Sequence, residues 1–185
     1  MSRPHNDPSS CTDLQQALAR RLPGRVLTDP EELARYAADA LAAARAYRSG
    51  FQAEALPAAV VRATTVDDVC SLLEWAQEEG VPVVPFGGGS GVMGGAVAVA
   101  GAVTLDLRGL NRIRRVSRED RTVEAEAGVL LSDLGEALDP HGLFFAHDPW
   151  SVHVATVGGA ISTNGAGYRV GGYGRMADQV LGLEV

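Results

Sequence analysis

The 185-residue sequence is poor in aromatic residues, 5% of the chain, and has only two cysteines. With so few rings the core has to be built mostly from aliphatic side chains and alanine. Cys11 lies in a polar leader and Cys70 in a helical pattern, and neither has a second thiol near it. Both therefore read as reduced thiols rather than as part of a metal cluster or a CxxC redox pair, and no metal site is expected. Positive charge is scarce as well. Against 23 Asp and Glu stand 16 Lys and Arg, a formal net charge of -7. A nucleic-acid or anionic-membrane surface needs a basic field, so neither partner is expected, and any phosphate must be held locally by backbone. No run of about 18 or more apolar residues occurs, which excludes an integral membrane segment. The first eight residues are polar and proline-marked, unlike a signal peptide, and a cytoplasmic protein is the expectation. What is present fits a folded domain: 46% hydrophobic and 21% charged residues, near the averages for globular chains. Length allows one domain or two small ones, and nothing repeats at a solenoid period.

Along the chain, residues 1–11 read as a disordered leader and residues 12–57 as N-terminal helices and a loop. One helix is expected from Thr12 through Leu22. A second opens at Thr28, Asp29, Pro30 and Glu31 and runs to about Ala44, because proline suits the first helical turn. Residues 46–57 read as a loop and residues 58–62 as a short buried strand. The clearest helix follows. Thr65 caps it, Asp67 and Asp68 favour its positive end, and Val69, Leu72, Leu73 and Ala76 form one apolar stripe ending at Gly80. Residues 81–85 return as a strand, and strand, helix, strand implies a parallel pair with a right-handed crossover. Residues 103–107, 113–116 and 122–127 read as β-type runs forming a meander, residues 129–138 as a helix, and 142–145 as a short extended piece. Residues 179–185 read as a last strand that stops at the chain end. A domain stopping inside an apolar β-run leaves an edge unpaired, which suggests a fragment of a longer protein.

Two glycine-rich segments carry the functional signal. The first is Pro85-Phe86-Gly87-Gly88-Gly89-Ser90-Gly91, at the carboxyl end of a predicted strand. The second runs from Ala155 and Thr156 through Gly158, Gly159, Thr163 and Asn164 to Gly165. Without a Cβ, successive backbone N–H groups can converge on one point, so each segment can form an anion nest, and two nests suggest a dinucleotide. The plainer readings are a flexible surface loop for the first and tight packing for the glycines from Gly158 to Gly167. Residues 89–94 match GxGxxG, but a Rossmann fingerprint must open an amphipathic helix, and residues 95–101 have no polar face. A Walker A loop needs Lys-Ser/Thr after its last glycine, and no lysine is near. The run Arg112, Arg114, Arg115, Arg118, Glu119, Asp120, Arg121 reads as a solvated hairpin with alternating outward side chains.

In combination these residues resemble the FAD-binding half of the vanillyl-alcohol oxidase and p-cresol methylhydroxylase (PCMH-type) superfamily, above all its glycolate oxidase, D-lactate dehydrogenase and alkyl-glycerone-phosphate synthase-like members. The family's Pro-x-Gly-Gly-Gly-Ser/Thr string, its Asp/Glu-Pro-x-Ser and Ala-Thr-x-Gly-Gly-x-Ile-x-Thr-Asn strings, and Tyr173-Gly174 all occur in order. The match runs from about Tyr36 to Val185. It implies an α+β fold, a small parallel β-sheet with helices (residues 58–109) followed by a mostly antiparallel second subdomain (residues 110–185), incomplete at its end.

The resemblance further implies that Pro85, Phe86, Gly87, Gly88, Gly89, Ser90 and Gly91 cradle the FAD pyrophosphate, with Ser90 adding a hydroxyl. Pro149, Trp150 and Ser151 would border the flavin, and Thr156, Gly158, Gly159, Thr163 and Asn164 would bring backbone and polar contacts. Covalent members carry histidine at the position of Ser90. A serine has no ring nitrogen to attach the flavin methyl group, so noncovalent FAD is implied. The activity implied is flavin-dependent oxidation of a 2-hydroxy acid by hydride transfer, in which the cofactor does the redox chemistry. Substrate ligands and most acid-base residues lie, in the family, beyond these residues, and no catalytic residue is assigned here. His147 is the one histidine near the flavin by analogy, while His5, His141 and His153 fall in the leader, a turn and a solvated loop, and Asp148 reads as a turn cap. An alkyl-transfer synthase without net oxidation, a nicotinamide-using Rossmann dehydrogenase and a cofactor-free scaffold stay open as alternatives.

Overall fold

The computed structural model describes residues 8–41 and 55–185. The chain divides into two compact units, Met1–Gly109 and Leu110–Val185.

In the first unit, α1 (Pro8–Arg21) is followed by β1 (Val26–Leu27) and α2 (Pro30–Ala34), then β2 (Ala59–Arg62), α3 (Val66–Glu79), β3 (Val83–Phe86) and β4 (Val103–Asp106). The sheet order is β1-β2-β4-β3, with β2, β4 and β3 parallel and β1 antiparallel at one edge. The crossover expected between β2 and β3 is present, but β4 lies between them, so residues 103–106 belong to the parallel sheet and not to a meander. Their burial explains the difference. All four β4 residues are buried, as a strand covered on both faces requires, and such a strand shows no alternation.

Helix α3 forms as its sequence dictates. Thr65 Oγ1 accepts the Asp68 N–H at 3.1 Å, Asp68 Oδ2 accepts the Thr65 N–H at 3.0 Å, and Gly80 ends the helix at φ 66°. That is a reciprocal capping box and a left-handed stop. Leu72, Trp75 and Ala76 are its buried residues, whereas Leu73 faces solvent, so the apolar stripe includes Trp75 in place of Leu73. They pack with Leu18 of α1 and Leu22 just after it against Ala59, Val61, Val103 and Leu105. Each such large aliphatic side chain, once fully buried, contributes about 1.5–3 kcal/mol. A separate cluster joins Leu33, Tyr36, Val60 and Phe86.

The helical ends differ from expectation. Helix α1 starts at Pro8, so residues 8–11 are helical and not leader, and residues 1–7 lie outside the described residues. Asp29 caps α2 by accepting the Glu31 and Glu32 N–H groups, but α2 stops at Ala34 instead of near Ala44. Two residues later Tyr36 is drawn into a buried contact with the sheet, and that tertiary contact overrides the helical propensity of an alanine-rich run. Residues 42–44 of the expected helix and 46–54 of the expected loop lie outside the described residues.

In the second unit, β5 (Ile113–Ser117) and β6 (Thr122–Ala125) form an antiparallel hairpin with a bulge between Ile113 and Arg115. Antiparallel pairing there is confined to this ladder and a bridge between Leu130 and Thr156. Helices α4 (Leu131–Leu138), α5 (Val157–Thr163) and α6 (Val170–Tyr173) follow, with 3-10 turns at Asp139–His141 and Met176–Gln179. Val129, Leu134 and Leu138 pack over the hairpin, and Leu131, Ala155, Ala160 and Met176 form a neighbouring cluster. Residues 142–145 make no ladder. Residues 180–185 are not a strand either, with Leu181 and Leu183 exposed, because no described strand stands beside them to complete a ladder.

Candidate functional site

Parallel register brings the last residues of β2, β4 and β3 side by side: Arg62 pairs with Asp106 and Phe86 pairs with Asp106. The carboxyl edge of a parallel sheet is where such folds bind ligands. Asp106, 4% exposed, is the hub. Its Oδ1 accepts the Arg108 N–H at 3.0 Å and Nε at 2.9 Å, and its Oδ2 accepts Arg108 Nη2 at 2.8 Å. The buried Tyr36 hydroxyl donates to the same Oδ2 at 2.8 Å and accepts from Arg62 Nε at 3.2 Å and Arg108 Nη2 at 2.9 Å. Burial pushes the Asp106 carboxyl up, but the Arg108 and Tyr36 hydrogen bonds outweigh it and hold the group below the usual aspartate range. The Arg108 guanidinium, raised in turn by its bonds to Asp106, lies over the Tyr36 and Phe86 rings.

The first glycine segment leaves the sheet at this edge. Pro85 is exposed on β3, and Phe86 turns its ring into the core while its carbonyl accepts the Leu107 N–H at 3.0 Å. Residues 87–91 are half-buried. None of their backbone N–H groups is engaged by another described residue, which is the condition for an open nest. Gly89 has φ 64°, and a Cβ there would stand 2.8 Å from Phe86 Cζ. Glycine is thus required both by the backbone angle and by the ring beneath it. Beside Gly88 and Gly89 lies a cavity of about 430 Å³ whose walls include Arg35, Arg62, Arg108, Tyr36 and Asp39. That is within the range of small-ligand sites, about 300–1,000 Å³. Arg35 and Arg62, beside N–H donors that no described residue engages, suit an anionic group such as a diphosphate, while Asp39 partly offsets them and Arg108 is committed to Asp106.

The second segment, in the second unit, is built differently. Thr156 caps α5, its Oγ1 accepting the Gly159 N–H at 3.3 Å, and the Gly158 N–H donates to the Ala127 carbonyl at 2.8 Å. Both glycine N–H groups therefore have protein partners, and this segment is a capped helix start and not the open nest expected. A Cβ on Gly158 would stand 2.8 Å from that of Ala127, so this glycine serves close packing. Thr163 Oγ1 donates back to the Gly159 carbonyl at 3.0 Å, and Asn164, at φ 46°, accepts the Ala177 N–H at 3.0 Å. Gly159, Thr163 and Asn164 keep an exposed face. In the same unit the Pro149 carbonyl accepts the Val152 N–H and the Ser151 carbonyl those of Val154 and Ala155. Trp150 stands 85% exposed.

Asp148 does cap a turn, accepting the Arg169 N–H at 2.8 Å and pairing with Arg169 Nε at 3.3 Å. His147 is buried beneath it, and burial pushes its imidazole down, against the opposing pull of Asp148. At the start of the hairpin, Arg112 and Arg114 bond to the buried Glu126, while Arg115, as exposed as Arg112, pairs with Glu124 at 4.0 Å. Arg112 donates from Nε at 3.0 Å and from its backbone N–H at 2.9 Å, holding the Glu126 carboxyl down to about 2.

Sequence reasoning overlooked Tyr36, Arg62, Asp106 and Arg108 as a group. The available signal was a carboxylate closing an otherwise apolar β-run with an arginine two residues on, since a buried charge demands a partner.

A family model described as FAD binding domain matches residues 57–185. Among curated proteins, the glycolate oxidase subunit GlcD of Bacillus subtilis (strain 168) is 34% identical over 134 residues, 72% of this chain and 28% of the relative. The D-2-hydroxyglutarate dehydrogenase of Xanthomonas citri pv. viticola is 35% identical over 172 residues, 93% of this chain and 34% of the relative. A solved alkyldihydroxyacetonephosphate synthase superimposes with a TM-score of 0.78 at 23% identity, covering 98% of this chain and 33% of that one. A solved p-cresol methylhydroxylase gives 0.68 at 22% identity, over 86% and 30%. The chain thus spans about a third or less of the length of these relatives.

Proposed function

Because the chain belongs to the FAD binding domain family, we propose that residues 85–91 seat the diphosphate of FAD and that the whole protein is an FAD-linked oxidoreductase acting on a 2-hydroxy acid. The observation that carries the first part is the row of N–H groups at residues 87–91 that no described residue engages, beside a cavity whose walls include Arg35 and Arg62. Backbone donors at the carboxyl edge of a parallel sheet, with the Arg35 and Arg62 guanidinium groups beside them, offer a diphosphate what water would otherwise supply. Ser90 adds a hydroxyl and, having no ring nitrogen, leaves the flavin noncovalently held. In the second unit, Gly159 presents an exposed helix face without a Cβ, which a planar group can approach closely. We assign that face, with Thr163, Asn164 and the turn at Pro149, Trp150 and Ser151, to contact with the cofactor; Thr156 and Gly158 support it from within.

FAD, when bound, accepts the two electrons released as a hydroxy acid becomes a keto acid. The residues described here orient it, and the histidine they bury carries no proton to a substrate in this reading. The hydroxy-acid class is supported by the D-2-hydroxyglutarate dehydrogenase and glycolate oxidase relatives. A second reading, synthesis without net oxidation, is supported by the alkyldihydroxyacetonephosphate synthase of Trypanosoma brucei brucei, 34% identical over 134 residues. Anaerobic addition of D-lactate, glycolate or D-2-hydroxyglutarate to the holoenzyme separates them. Loss of the oxidised flavin spectrum with one of these acids is expected; a flavin that stays oxidised with all three would favour the synthase.

A further inference from the structure

We propose that Arg108 is a positioning residue for the glycine loop, acting through the ring of Phe86; the proposal rests on the reading that this loop seats the FAD diphosphate. Arg108 is fixed as few surface arginines are. Asp106 takes its Nε and Nη2 on separate oxygens, Tyr36 takes Nη2 as well, and Asp106 Oδ1 also binds the Arg108 N–H. A guanidinium forked in this way has its plane set, because a bidentate pair admits little rotation. Its Cζ lies 5.5 Å from the Phe86 ring centroid and 5.4 Å from that of Tyr36, and the two rings meet edge to face at 4.9 Å.

Phe86 is therefore bounded by Tyr36 and by Arg108, both of which attract its ring. Above it stands Gly89, so close that a Cβ would lie 2.8 Å from Cζ. The backbone of the loop rests on that ring. Whatever fixes the ring fixes the height and tilt of the N–H groups around Gly89, and Arg108 is the charged half of the clamp. Lysine cannot replace it, since an ammonium group neither stacks flat on a ring nor forks a carboxylate.

The test is FAD titration into apoprotein prepared from the holoenzyme, with Arg108→Lys, Phe86→Leu, the double variant, Arg108→Met and Gly89→Ala. Arg108→Lys and Phe86→Leu are each expected to raise the FAD dissociation constant about tenfold, and the double variant no further than Phe86→Leu, because the two residues act in series. Losses that multiply to about a hundredfold would show separate action and overturn the proposal. Should the double variant not fold, salt dependence decides. A positioning role leaves the salt dependence of FAD binding unchanged in Arg108→Met, whereas a shallower dependence would mean direct charge on the phosphates and would also overturn it. Gly89→Ala distinguishes the two levels. If it leaves FAD affinity intact, the loop assignment itself fails; if it weakens FAD while Arg108→Lys does not, only the positioning role fails.

Discussion

Removing the Tyr36 hydroxyl takes one donated and two accepted bonds out of the carboxyl-edge network. Tyr36 is 1% exposed, and its hydroxyl donates at 2.8 Å to Asp106 Oδ2. A hydrogen bond to a charged group contributes about 1.5–3 kcal/mol. Tyr36→Phe should cost less than the upper figure, because Oδ2 keeps Arg108 Nη2 at 2.8 Å, and Arg62 and Arg108 are exposed enough for water to take the place of the lost hydroxyl. About 1–2 kcal/mol is expected, a factor of roughly 5–30 in the opening equilibrium of the first unit. Hydrogen exchange of the β2 and β4 amides in flavin-free protein reads that factor directly, since these strands open only with the core. Asp106→Ala provides the comparison: it removes the acceptor of Tyr36 and of Arg108 together and leaves the buried Tyr36 hydroxyl without that partner, so it should cost more than Tyr36→Phe. Exchange in Tyr36→Phe as slow as in the parent, or faster than in Asp106→Ala, would refute the assigned hierarchy.

Glu126→Gln should destabilise the second unit at neutral pH and progressively less in acid. Its folded-state carboxyl is held at about 2 instead of 4.5, so the stability it contributes is present above 4.5 and lost as pH falls toward 2. A pH series of urea unfolding checks this, and a difference constant across that window would contradict it. Gly158→Ala should lower the stability of the flavin-free second unit by about 1–3 kcal/mol through overpacking against Ala127, whereas Gly159→Ala, whose Cβ would meet only the Thr156 hydroxyl at 3.1 Å, should cost less in the same melt. Acid precipitation of the holoenzyme should release all flavin to the supernatant, given Ser90 in place of histidine; a yellow pellet would show a covalent link.

Much of the first unit was legible because its signals are local. The Thr65 and Asp68 box, the Gly80 stop and the Asp29 cap fix helix ends with neighbours in sequence. The insertion of β4 between β2 and β3 was not, since a strand buried on both faces carries no periodicity to show its place in the order. Helix α2 ended early because Tyr36 bonds to Asp106, 70 residues away, and nothing local announces such a contact. The glycine loop was legible as glycine. Its support was not: Phe86, Arg108 and Tyr36 come together only through sheet register. In the second segment the same residue type misled, because a glycine that admits a ligand and one that admits Ala127 look alike in sequence.

The seat of the cofactor is tested most directly by the FAD content of purified Gly89→Val protein beside the parent. A valine at φ 64° would strain the backbone, displace the Phe86 ring and crowd the N–H groups of residues 87–91. FAD well below the parent's content per chain, with β2 and β4 exchange unchanged in the flavin-free proteins, is the expected result. Parent-level FAD in this variant would show that the diphosphate is held elsewhere.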